Sequence, residues 1–120
     1  IPLQVSCSFH CRLLKPMVRT FARLVEATPF RAPAVPVIDN VTAQPLGDAA
    51  SIRRSLIAQI TAPVLFEESL RFMADRGIRR FVQCGPGKSL LGFAKRSNGA
   101  VELLTFEGAA TRALAPVAAA

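Results

Sequence analysis

The sequence predicts an α/β fold with a mainly parallel sheet and flanking helices, and three observations lead there. Apolar residues recur at helical spacing in several separate stretches, β-branched runs lie between those stretches, and proline or glycine clusters mark the changes of period. Helices that alternate with strands favour parallel pairing through crossovers. With 120 residues, 51% of them hydrophobic, the chain can bury one core and is too short for two ordinary domains, so one compact unit is expected.

The elements follow in order. Residues 3 to 7 alternate apolar and polar side chains as a half-buried strand does, and a turn through Ser8 to His10 follows. Leu14, Met17, Val18, Phe21, Leu24 and Val25 then share one helix face, while Lys15, Arg19 and Arg23 recur every four residues as a basic ridge on another. "TPFRAPAVPV" carries three prolines and cannot continue a helix. It leads into "VPVIDNVT", a strand, and "QPLGD", a turn. Asp48 is placed to cap a second helix whose apolar face is Ile52, Leu56, Ile57 and Ile60, with Pro63 marking the break after it. A third helix runs from about Phe66 to Asp75, with Phe66, Leu70 and Met73 on one side, and stops at Gly77. "IRRFVQCG" reads as a strand, "GPGK" as a turn, "SLLGFAKRS" as a short helix closing at Asn98-Gly99, and "VELLTF" as a last strand. An alanine-rich tail of low complexity, residues 107 to 120, ends the chain, and no internal repeat is visible.

Fifteen Lys and Arg against eight Asp and Glu give a net charge of +7, which favours an acidic partner. Nucleic acid is disfavoured: there is no Trp or Tyr to stack on bases, and Phe21 and Phe66 occupy apolar helix positions. No apolar run approaches the roughly 20 residues that a membrane helix needs, so no membrane partner is expected. Three cysteines at unequal spacing make no disulfide framework, and reduced thiols in the cytoplasm or an organelle matrix are the expectation. The opening on Ile1, inside an extended-looking segment, suggests part of something longer.

"GPGKS" at 85 to 89 ends as a phosphate loop does, but the glycine required five positions before Gly87 is Val82, so the motif reads as a strand-to-helix glycine turn. Cys7, His10 and Cys11 cluster around the only histidine. A zinc site would need a further ligand, Cys84 is far away in sequence and no second histidine exists, so no metal is expected and the cysteines read as small buried hydrophobes. The ridge of Lys15, Arg19 and Arg23 is either a solvated face or a docking surface. A lone histidine such as His10 is more often packed or exposed than catalytic; its place after a strand of an α/β layout, where sites collect, adds weight to the catalytic reading.

"VSCSFHCRLLKPM", "APAVPVIDNVTAQP" and "IAQITAPVLFEESLRFMADRGIRRFVQCGPGKSLLGFAKR" together resemble the C-terminal part of the malonyl-CoA:acyl carrier protein transacylases, over about residues 1 to 106. The resemblance implies the last part of an α/β-hydrolase-like large subdomain. It also implies malonyl transfer from coenzyme A to a carrier-protein phosphopantetheine thiol through an acyl-serine ester, in fatty acid synthesis. The family's catalytic histidine falls on His10. The glutamine whose backbone carbonyl holds the histidine ring falls on Gln59. Phe9 matches the Phe-His form that goes with malonyl selection, a bulky ring limiting room for an α-methyl branch. The ridge Lys15, Arg19 and Arg23 would then face the acidic carrier protein or the coenzyme A phosphates. No metal or tightly bound cofactor is implied.

The departures are as informative. Nowhere does the sequence contain a Gly-x-Ser-x-Gly elbow, the glutamine-rich loop of the oxyanion hole or the arginine segment that pairs with the malonyl carboxylate, and Leu14 replaces a common methionine. These 120 residues are therefore expected to be a fragment unable to perform the transfer alone, with exposed apolar surface and a tendency to self-associate. Two rivals stand beside this reading: an acyltransferase fragment of a polyketide synthase, and a non-catalytic module that binds an acyl carrier protein.

Overall fold

The computed structural model describes residues 8–97 and 102–114; the expected strand at 3 to 7 and the helix stop at Asn98-Gly99 lie outside the described residues. Where the length predicts one compact unit, the chain divides into two, meeting between Ser69 and Leu70.

In the first unit a 3-10 turn, Arg12–Leu14, runs into α1, Lys15–Ala27. Pro16 sits in its first turn, where an amide donor is not needed. The helix ends at Thr28, which is extended, bonds back through its amide to Val25 and through Oγ1 to Leu24, and precedes Pro29. α1 packs against α2, Ala49–Ala58. Val25 is buried and Val18 and Phe21 half-buried, whereas Met17 and Leu24 remain 57% and 63% exposed, so the covered stripe is narrower than the predicted apolar face. Arg53 of α2 ties down the chain that leaves α1, donating to the Thr28 carbonyl at 3.2 Å and lying 5.2 Å over the Phe30 ring.

Asp48 caps α2 as predicted, and the cap is reciprocal: its carboxylate accepts the Ser51 amide at 2.7 Å while the Ser51 hydroxyl accepts the Asp48 amide. The segment read as a strand followed by a turn is instead a tight antiparallel hairpin. Its strands are β1, Val37–Ile38, and β2, Pro45–Leu46, and the turn lies between them at 39–44 rather than at "QPLGD". The physical reason is Asp39, whose carboxylate gathers the Val41 and Thr42 amides and halts the ladder after two residues.

α3, Phe66–Asp75, bridges the two units in sequence. Among the described residues Leu70 is the most deeply buried large side chain, and Phe66 and Met73 are half-buried, as the helix spacing predicts. Gly77, with φ of 84°, takes the left-handed conformation that ends the helix while the Ile78 amide reaches back to Met73. In the second unit β3, Arg80–Gln83, pairs in parallel with β4, Glu102–Thr105; α4, Ser89–Ser97, lies between them in sequence and α5, Phe106–Leu114, follows. Both helices pack on the two strands. Buried Gln83 organises the "GPGK" turn: its Nε2 donates to the Pro86 and Gly87 carbonyls and its Oε1 accepts the Leu91 amide inside α4. Gly85 and Gly87 supply the positive φ values the turn requires.

Three further expectations change. Among the described residues the sheets are one parallel pair and one antiparallel hairpin, not a mainly parallel sheet. The start of the alanine-rich tail is helical to Leu114, which suits alanine's propensity. Cys84 is exposed and Cys11 half-buried, so neither is a core hydrophobe; Cys7 lies outside the described residues.

Candidate active site

The site begins at the C-terminus of α2. A helix leaves its last carbonyls without internal donors. Here the Ala58 carbonyl takes both the Thr61 and Ala62 amides, while Gln59, the C-cap residue, presents its own carbonyl outward. His10 Nδ1 meets that oxygen at 2.7 Å, a bond between positions 49 residues apart. A carbonyl oxygen only accepts, so Nδ1 carries the proton and, in the neutral ring, Nε2 keeps its lone pair. His10 stands on a left-handed backbone with φ of 52°, a conformation that non-glycine residues adopt at a cost and that clusters at functional sites. Its imidazole is exposed, and the neighbouring Phe9 ring is 61% exposed.

The hairpin turn braces this end of α2. Asp39, 4% exposed, accepts from the Val41 and Thr42 amides at 3.1 Å and the Thr42 hydroxyl at 2.8 Å, and it also takes the hydroxyl of Ser55 on α2. Burial pushes its carboxyl up, but the bonds from Ser55, Val41 and Thr42 outweigh it and hold it below the ordinary 3.8. Next to it, Asn40 Nδ2 donates to the Gln59 side-chain oxygen at 3.4 Å, and the Asn40 carbonyl accepts the Leu65 amide at 2.8 Å. Asp39 and Asn40 read in the sequence only as part of a strand, and Ser55 is not singled out there. The signal that could have found them is an aspartate followed three residues later by a threonine, the pattern of a side-chain-closed turn.

Arg12, Lys15, Val18, Arg19 and Thr61 line a cleft of about 520 Å³ beside α1. Lys15 and Arg19 of the predicted ridge thus share one concavity, and Arg12 joins them; Arg23 is exposed but outside that lining. Among the described residues no three His, Cys, Asp or Glu side chains stand together as metal ligands. Also among them, no helix is long and apolar enough to cross a membrane.

Compared with models of protein families, the chain matches none. Among curated proteins it is 40% identical over 98 residues to the malonyl CoA-acyl carrier protein transacylase of Bacillus subtilis, covering 82% of this chain and 31% of that one. It is 41% identical over 96 residues to the Salmonella typhimurium protein of the same name, covering 80% and 31%. Among solved structures it superposes on an acyl carrier protein S-malonyltransferase from Vibrio cholerae with a TM-score of 0.86 at 32% identity, covering 93% of this chain and 38% of that one. It also superposes on a malonyl-transacylase solved in complex with a type II polyketide synthase acyl-carrier protein, with a TM-score of 0.84 at 32% identity, covering 92% and 36%.

The fold is therefore α/β, with helices and a small parallel sheet like those of the solved malonyltransferases. Over the stretch it spans, the chain is similar in sequence and in fold to the malonyl CoA-acyl carrier protein transacylases. It spans about a third of the length of these curated relatives.

Proposed function

We propose that this chain carries the histidine of a malonyl transfer from coenzyme A to the phosphopantetheine thiol of an acyl carrier protein, in cytoplasmic fatty acid synthesis. It would form the last part of an α/β-hydrolase-like large subdomain. The observation that carries the reading is the bond from His10 Nδ1 to the Gln59 carbonyl, because it leaves Nε2 as the free base. The nucleophilic serine comes from sequence outside these 120 residues. Nε2 takes the serine proton as Oγ attacks the malonyl thioester, then returns it to the departing coenzyme A thiolate. In the second half it takes the carrier thiol's proton as the sulfur attacks the acyl-serine, and returns it to the serine oxygen. The Gln59 carbonyl at the C-terminal end of α2 keeps the ring oriented through both halves. The chemistry requires no metal or bound cofactor, and Phe9 would narrow the acyl site toward unbranched malonyl.

In a reconstituted enzyme His10→Ala is expected to abolish turnover, by a factor of about 10³ or more, while binding of the carrier protein persists. Retained malonyl transfer would remove His10 from the chemistry. A second reading, a module that docks the carrier without catalysis, is favoured by the basic cleft: Arg12, Lys15 and Arg19 suit an acidic carrier or the phosphates of coenzyme A, with Arg23 on the same ridge. Carrier binding and malonyl transfer that are both unaffected by His10→Ala would support it.

A further inference from the structure

We infer that Asn40 is a positioning residue for His10, acting through the side chain of Gln59. The inference rests on His10 being the base and adds a residue that sets its geometry. Gln59 is held at two points: its backbone oxygen receives His10 Nδ1 and its side-chain oxygen receives Asn40 Nδ2. α2 has already ended there, so the direction of the Gln59 carbonyl is not fixed by any further helix bond at that oxygen. What restrains it is its own side chain and the turn that follows. Asn40 touches both, since its carbonyl binds the Leu65 amide beyond the turn. Asn40 is itself fixed, because Asp39 next to it is locked to Ser55 of the same helix. A rigid brace thus runs from the middle of α2, through the hairpin turn, to the end of α2.

A substitution at Asn40 removes only the bond to Gln59, since its carbonyl remains to hold Leu65. The readout is the tautomer of His10, the one histidine of this sequence, followed through the two ring nitrogens by long-range proton-nitrogen correlation on the 15N-labelled full chain. In the parent protein Nδ1–H dominates. Asn40→Ala is expected to lower the ratio of Nδ1–H to Nε2–H by about two- to tenfold, the worth of one net hydrogen bond. Gln59→Ala is expected to lower it equally, the double variant no further, and Gln59→Glu, which keeps an acceptor, to preserve it. A ratio unchanged by Asn40→Ala in a chain whose amide spectrum is otherwise intact overturns the proposal, and so does an additive loss in the double variant. Should Asn40→Ala fail to fold, Gln59→Ala decides alone, an unchanged ratio there being fatal. The tautomer is read without turnover, so a retained activity in His10→Ala would strike the catalytic role and leave this test standing.

Discussion

One oxygen atom does most to define the candidate site, and the group that braces it from behind is a buried carboxylate. Asp39 serves four donors, from Val41, Thr42 twice and Ser55. Asp39→Ala leaves those donors without their charged acceptor and is expected to cost about 2–3 kcal/mol, measured by urea unfolding. The same carboxylate sets an acid limit. Its folded value lies below 3.8, as does that of Asp48, which the Ser51 amide chiefly holds down, with the Ala50 amide and Arg54 adding to it. A depressed carboxylate stabilises the fold above its unfolded value and loses that contribution as pH falls through the folded one. Stability is thus expected to hold from neutrality to about pH 5 and to decline below 3.8, and Asp39→Ala should flatten the decline. His10 stands out as the one histidine of the sequence, but its pairing with Gln59 was legible only through family likeness, since no periodicity relates positions 49 apart. Asp39 and Asn40 were not, because "VIDN" reads as β-branched strand and the donors that convert it to a turn lie partly on another helix.

At the scale of elements, local chemistry accounts for most boundaries. Asp48, Gly77 and the glycines of "GPGK" act where the sequence places them, because caps and positive-φ turns are decided within a few residues. The β1–β2 hairpin was missed for the complementary reason: a two-residue strand containing Pro45 carries no alternation to read. In the parallel pair Arg80 faces Glu102 in register and meets its carboxylate at 2.6 Å, with side chains 62% and 30% exposed. An exposed pair contributes little, so Glu102→Gln is expected to shift the unfolding free energy by less than about 1 kcal/mol. A larger loss on denaturant titration would mean that the pair fixes strand register.

At the scale of the whole chain, composition predicts an acidic partner without naming the residues that would meet one. The net charge of +7 is spread along the sequence, and only the structure gathers Arg12, Lys15 and Arg19 around one cleft. Paired charge reversal, Lys15→Glu with Arg19→Glu, is expected to weaken carrier binding by tenfold or more at low salt and to reduce its salt dependence, as titration calorimetry at several ionic strengths would show. Arg23→Glu, outside the lining, should do less. The alternation of helix and strand gave the α/β class correctly, whereas the number and direction of paired strands depend on long-range partners that no local pattern encodes.

The acceptor that receives His10 belongs to the main chain, and that has a consequence for how the site tolerates genetic change. Every amino acid carries a carbonyl, so no codon at position 59 can delete the oxygen itself. A saturation library there should therefore retain partial activity at most positions of the code, with losses graded by how well the turn survives. Errors at positions 39 and 40 would act at one remove, through the hairpin turn that holds Gln59. A survey of variants by proximity to the reacting atoms would overlook them.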